Sequence, residues 1–161
     1  MPSQKTRAFI SIDVPETIKN EILKIQKQLS DFQGKFTEPE NLHLTLKFLG
    51  EISEENLIEV KRRLKEIKFK SFETKISELG IFSPNHIKII WLKLDNCEEL
   101  QTKVDETLLD IFPSETRFMS HLTIARVKSL KNKTEFLEGL EKVELSKIRF
   151  QVKEFRLKKS T

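Results

Sequence analysis

Hydrophobic positions along this 161-residue chain switch repeatedly between a period of two and a period near 3.6. RAFISID (7–13) is apolar and β-branched enough for a buried strand. Ile18, Ile22, Ile25, Leu29 and Phe32 follow at steps of three and four, which predicts one buried face of a helix. Residues 43–49 read as a second strand. Ser53 then caps a helix whose apolar face is Leu57, Val60, Leu64 and Ile67. A third extended stretch runs from Phe72 to Phe82 and ends at the Ser83-Pro84-Asn85 turn.

The same plan recurs in the second half. Residues 87–95 predict a strand apolar on both faces. Asn96, with Glu99 three residues on, resembles a capping box for a helix through Leu100, Val104, Leu108 and Ile111, closed by Pro113. A strand over 121–127, a helix marked by Phe136, Leu140 and Val143, and a strand marked by Ile148, Phe150 and Val152 complete it. Each half, 1–83 and 84–161, therefore reads β-α-β-α-β, and the pattern predicts an internally duplicated single domain over 1–161.

Composition narrows the class. The chain is 34% charged and 37% hydrophobic, and no apolar run is long enough for a membrane span or a signal peptide. Its one cysteine, Cys97, has no intrachain partner, so a reducing cytoplasm is the expected compartment and Cys97 a packing or helix-start residue. A net charge of +4 permits nucleic-acid binding without demanding it. The local run Arg126, Lys128, Lys131 and Lys133 is either a solvated loop or a surface for RNA phosphates.

The chemistry lies in an echo. HLTLKFLG at 43–50 and HLTIARV at 121–127 each open on His-Leu-Thr, and the chain has only three histidines. On a strand, residues i and i+2 share a face, so His43 stands with Thr45 and His121 with Thr123, while Leu44, Leu46, Leu122 and Ile124 turn to the core. Were the halves packed about a pseudo-twofold axis, two imidazoles and two hydroxyls would meet in one cleft. A histidine pair supplies an acid and a base together near neutral pH, and hydroxyls donate to phosphate oxygens. Two-sided displacement at phosphorus needs that set. With four glycines and no clear metal-ligand cluster, the chemistry expected is metal-free acid–base catalysis without a cofactor. His86, in a turn, reads as structural. Strict alternation sends Arg126 away from His121 unless the strand bulges or ends there, and it places Phe48 with Leu44 and Leu46, which makes core packing its first reading; Trp91 also reads as core.

These residues carry a resemblance. The paired His-x-Thr motifs resemble those of the 2H phosphoesterase superfamily. RAFISIDVPE, ENLHLTLKFLGEI and RFMSHLTIARV resemble in particular the RNA 2′,3′-cyclic phosphodiesterase group, also called 2′-5′ RNA ligases. The resemblance implies an α+β, LigT-like fold: two pseudo-symmetric βα lobes with mostly antiparallel sheets around a central cleft. It implies hydrolysis of a terminal RNA 2′,3′-cyclic phosphate to a 2′-phosphomonoester. His43 would be the proton donor, His121 the proton acceptor, and Thr45, Thr123 and Arg126 the phosphate ligands. The implied partners are RNA ends or nucleotides with a 2′,3′-cyclic phosphate, tRNA fragments among them, met by a monomer away from membranes.

Three other readings stay open at this level. A 5′-hydroxyl in place of water gives 2′-5′ ligation at the same histidines. A vestigial site gives an RNA-end-binding module, and a carboxylate beside the histidines gives a metal site. The chain departs from the resemblance where relatives continue into a Gly-Pro-aromatic tail, since it reads Lys159-Ser160-Thr161 there and has no tyrosine.

Overall fold

The His43 triplet opens an 11-residue strand at the edge of a 3-stranded sheet. The computed structural model describes residues 5–115 and 117–160, so Thr161 lies outside the described residues. In chain order the first half forms β1 (Lys5–Asp13), α1 (Glu16–Lys27), β2 (Gln33–Phe36), β3 (His43–Ser53), α2 (Glu54–Glu66) and β4 (Phe72–Gly80). The second forms β5 (Ile89–Leu94), α3 (Glu98–Thr107), β6 (His121–Ser129), α4 (Lys133–Glu141), β7 (Arg149–Val152) and β8 (Arg156–Lys159). A short 3-10 turn, Pro39–Asn41, leads into β3.

Two antiparallel sheets result, β3-β1-β8 and β2-β6-β5-β4-β7. With four helices packed on them, this is the α+β class that the resemblance implies. The sheets do not coincide with the sequence halves. β2 and β4 leave the first half to join the sheet of β5 and β6, and β8 crosses back to pair with β1.

Local chemistry sets the element ends. Ser53 Oγ accepts from Asn56 N at 3.2 Å, Glu54 and Glu55 fill the first turn of α2, and Arg63 and Lys65 fill its last. Val60 and Leu64 are its buried face. α1 stops at Lys27, short of Phe32. Asp31 turns the chain at φ 65°, and Phe32 packs edge-on against Phe36 and Phe136, ring centres 5.9 and 6.1 Å away. The capping box expected at Asn96 does not form. Asn96 itself adopts φ 68°, a conformation that its short polar side chain tolerates, and donates Nδ2 to Glu73 O at 3.1 Å. Buried Cys97 takes the N-cap position instead without capping the helix, its Sγ donating to Thr74 Oγ1 and Asp95 O.

Between the sheets and helices lies one core. β1 and β3 supply Ile10, Ile12, Leu44 and Leu46; β5 and β6 supply Ile90, Leu92, Leu122 and Ile124. Trp91 is buried as expected. Each such aliphatic side chain stabilises the fold by about 1.5–3 kcal/mol on burial.

Two breaks in strand register decide what reaches the cleft. Along β3, Thr45 stands opposite Ser11 and Lys47 opposite Ile10, leaving Leu46 as an extra residue. Along β6, Thr123 stands opposite Trp91 and Ala125 opposite Ile90, leaving Ile124 as an extra residue. One extra residue reverses the alternation that follows it. Leu46 and Lys47 are therefore both buried, as are Ile124 and Ala125. Phe48 emerges on the His43 face, 57% exposed, which corrects its assignment to the core. By the same step Arg126 emerges on the His121 face.

Candidate active site

A cavity of about 560 Å³ opens between the two sheets, and His43, Thr45, Phe48, His121, Thr123 and Arg126 all line it. Each motif strand thus delivers three side chains to one cleft, at positions i, i+2 and i+5. The first two follow from alternation and the third from the bulge. His86 lies elsewhere, in the loop before β5.

The halves present different partners around the shared pattern. On β1, Asp13, Ser11 and Phe9 stand opposite His43, Thr45 and Phe48. On β5, Lys93, Trp91 and Ile89 stand opposite His121, Thr123 and Arg126. The i+5 position holds an aromatic ring in one half and a guanidinium in the other. At this position one strand offers the cleft an apolar face and the other a cation.

His121 is held in one tautomer. Its Nδ1 lies 2.8 Å from Met119 O, and a carbonyl only accepts, so Nδ1 carries the proton. The neutral ring then keeps a lone pair on Nε2. Phe82 braces the ring edge-on, with centres 4.9 Å apart.

His43 sits differently. Its ring stacks on Phe9 with centres 5.0 Å apart, and Phe9 in turn stacks on Phe48 at 6.3 Å. Its Nδ1 is buried without a hydrogen-bond partner. A proton there would be an unsatisfied buried donor, so the neutral ring carries its proton on Nε2. Burial pushes the imidazole below its ordinary pKa; Lys158 adds to this, Asp13 opposes it, and Lys19 lowers it further. Asp13 is itself hydrogen-bonded by Lys158 and lies 3.5 Å from Arg156.

Further cationic and aromatic groups reach the cleft from elements that periodicity did not reveal. β2 contributes Lys35 and Phe36, and β8 contributes Lys159. Lys35 also pairs with Glu38 at 3.2 Å. Of the basic run, Arg126 enters the cleft, whereas Lys128 lies with Lys35 on an adjoining groove along β2 and β6. Lys131 and Lys133 are exposed farther on. Among the described residues, no three His, Cys, Asp or Glu side chains are gathered to hold a metal ion. No helix among them is long and apolar enough to cross a membrane.

Comparison with known proteins places this cleft in a family. The family model for LigT like phosphoesterases matches residues 12–91. The RNA 2′,3′-cyclic phosphodiesterase of Methanocaldococcus jannaschii is 38% identical over 160 residues, covering 96% of this chain and 91% of the relative. That of Methanothermobacter thermautotrophicus is 35% identical, covering 97% and 90%. Among solved structures, Escherichia coli LigT without ligand superimposes with a TM-score of 0.78 at 24% identity, over 99% of this chain and 90% of that one. Its complex with 3′-AMP superimposes at 0.76 and 23% identity, over 98% and 89%. Two bulged His-x-Thr strands facing one cleft, on a fold shared with LigT and with a sequence this close to the archaeal enzymes, make the chain a member of the LigT-like phosphoesterases of the 2H superfamily, an RNA 2′,3′-cyclic phosphodiesterase by kinship.

Proposed function

We propose that this chain opens a terminal RNA 2′,3′-cyclic phosphate to a 2′-phosphomonoester, and that a single bilobal domain does so as a monomer. The observation that carries the proposal is the convergence of two His-x-Thr strands, each bulged after its threonine, on one cavity.

In the proposed step the oxygen of a water molecule bonds to phosphorus as the bond from phosphorus to the 3′ oxygen breaks. His121 Nε2 takes the proton of the water, since its Nδ1 proton is engaged with Met119 O. His43 Nε2 gives a proton to the departing 3′ oxygen. Thr45 and Thr123 donate hydroxyls to the non-bridging oxygens, and Arg126 offsets their charge. Burial lowers the pKa of His43 in the free protein, and an anionic phosphodiester beside it favours the imidazolium that the step requires. Phe48, on the opposite flank, offers a face on which a nucleobase stacks. RNA 3′ ends, tRNA fragments among them, are the substrates this arrangement suits.

The test is turnover of a nucleoside 2′,3′-cyclic phosphate in EDTA by wild type, His43→Ala and His121→Ala. Each variant is expected to lose about two orders of magnitude or more, with a 2′-phosphate as the wild-type product. An inactive wild type, or unchanged rates in both variants, would refute the proposal. Activity abolished by EDTA would point to a metal. A 3′-phosphate product would reverse the leaving group.

A further inference from the structure

The two bulges that aim Phe48 and Arg126 are each gripped from the opposite half of the chain. On β6, Ile124 is the extra residue, and its carbonyl accepts from Gln26 Nε2 of α1 at 2.9 Å and from Thr37 N at 2.9 Å. Gln26 also donates to Thr37 O at 3.0 Å and is 2% exposed. On β3, Lys47 lies next to the extra residue and runs away from the cleft into the core, its side chain 2% exposed. Its ammonium donates to the Asp105 carboxylate of α3 and to Pro113 O at 2.9 Å. The other Asp105 oxygen accepts from Glu115 N at 2.9 Å, in the segment that leads to His121. The arrangement is reciprocal. A helix of the first half holds the motif strand of the second, and a helix of the second half holds the motif strand of the first.

We infer that Gln26 and the Lys47–Asp105 pair are positioning residues: each keeps one bulge in place, and through it keeps Arg126 or Phe48 turned into the cleft. Stability alone accounts poorly for them. A buried ion pair loses most of its attraction to desolvation, and apolar residues of like size commonly do as well. What an apolar pair lacks is direction. Lys47 must point to the core face for Phe48 to point to the cleft, and the Ile124 carbonyl must point to α1 for Arg126 to leave the core. The Lys47 network ties the strand of His43 to the segment ahead of His121, so it also sets one motif against the other.

The inference rests on the reaction proposed above, and double-mutant cycles separate the two. The first pairs Gln26→Met with Arg126→Ala. The second pairs the combined Lys47→Met/Asp105→Leu variant with Phe48→Ala. Each is followed by kcat and KM on a nucleoside 2′,3′-cyclic phosphate and by thermal melting. Gln26→Met is expected to raise KM about tenfold in the wild-type background and less than twofold once Arg126 is gone. The combined variant should behave likewise toward Phe48→Ala. A merely structural role would lower the melting temperature and leave the paired effects additive. Additive effects in folded variants, or a wild-type KM in both, would overturn the inference. The second cycle removes both charges together and leaves neither buried alone, so it decides the matter should Gln26→Met not fold. Calorimetric titration with inorganic phosphate runs the first cycle without turnover. Coupling there stands even if the reaction is a different one.

Discussion

One methyl group at Gly34 tests how β2 completes the site. A Cβ on this residue would lie 2.0 Å from Arg126 O, 3.0 Å from Arg126 C and 3.1 Å from Val127 Cα. Carbon and carbonyl oxygen rarely approach within about 3.3 Å, so β2 must retreat from β6 by roughly 1.3 Å. The obstacle is backbone, and no rotamer change relieves it. Gly34 sits opposite Val127, Lys35 opposite Arg126 and Phe36 opposite Ala125, and among the described residues β6 is the only strand paired with β2. With a net contribution of about 1 kcal/mol per ladder bond, loosening this strand costs about 2–4 kcal/mol. Urea unfolding of Gly34→Ala should show a lower midpoint with an unchanged slope. Lys35 and Phe36 line the cleft, so KM should rise about tenfold with a smaller change in kcat. A variant with wild-type midpoint and wild-type KM would refute the close approach of the two strands and the part given to β2 in substrate binding.

Four further outcomes can be measured. In the proposed role of acid His43 must be protonated, so the lowering of its free-protein pKa by burial, Lys158 and Lys19 costs kcat/KM at alkaline pH. Lys158→Gln removes a cation and should raise kcat/KM at alkaline pH, whereas Asp13→Asn removes the opposing carboxylate and should lower it; effects confined to acidic pH instead would make His43 the base. Phe48→Ala should raise KM for a nucleoside cyclic phosphate about tenfold through lost stacking, with kcat less affected. Lys128→Gln/Lys131→Gln should leave mononucleotide turnover unchanged while flattening the salt dependence for an oligonucleotide by about 1.4 in log–log slope. Gly80→Ala would bring a Cβ to 2.6 Å from the Trp91 ring beside Phe82, so a lower melting temperature and a shift in Trp91 fluorescence are expected.

Much of this was written in the spacing of residues. β1 and β5 stand where apolar, β-branched runs predict buried strands, β3 and β6 begin at the expected His43 and His121, and Ser53 caps α2 as its sequence implies. His43, Thr45, His121 and Thr123 share a face because alternation holds up to each threonine. Beyond it the pattern is mute, because a bulge is a property of the pair of strands, set by partners such as Gln26 and Asp105 that lie far along the chain. Phe48 was therefore assigned to the wrong face, and the bulge that Arg126 required became visible only in the paired strands. β2 and β8 escaped notice for a related reason. QGKF and RLKK carry no periodic signal, and their extended form comes from pairing with β6 and β1. Asn96 shows the reverse error, a local motif overruled when the chain needed a left-handed turn.

The pairing of β8 with β1 has a consequence for how the protein is made. Ala8 meets Lys159, and Ser160 N donates to Arg7 O at 2.8 Å, so the sheet that bears His43 is closed by residues translated some 150 positions later. An emerging chain can pair β1 with β3 early, but Lys159 and Ser160 reach the cleft wall only after more than a hundred further residues have been made. Contacts this distant in sequence form slowly, because a long loop must close before they are rewarded. The nascent protein would then carry both histidines well before β8 closes the wall beside them, and the cleft would be completed last from its β1 side.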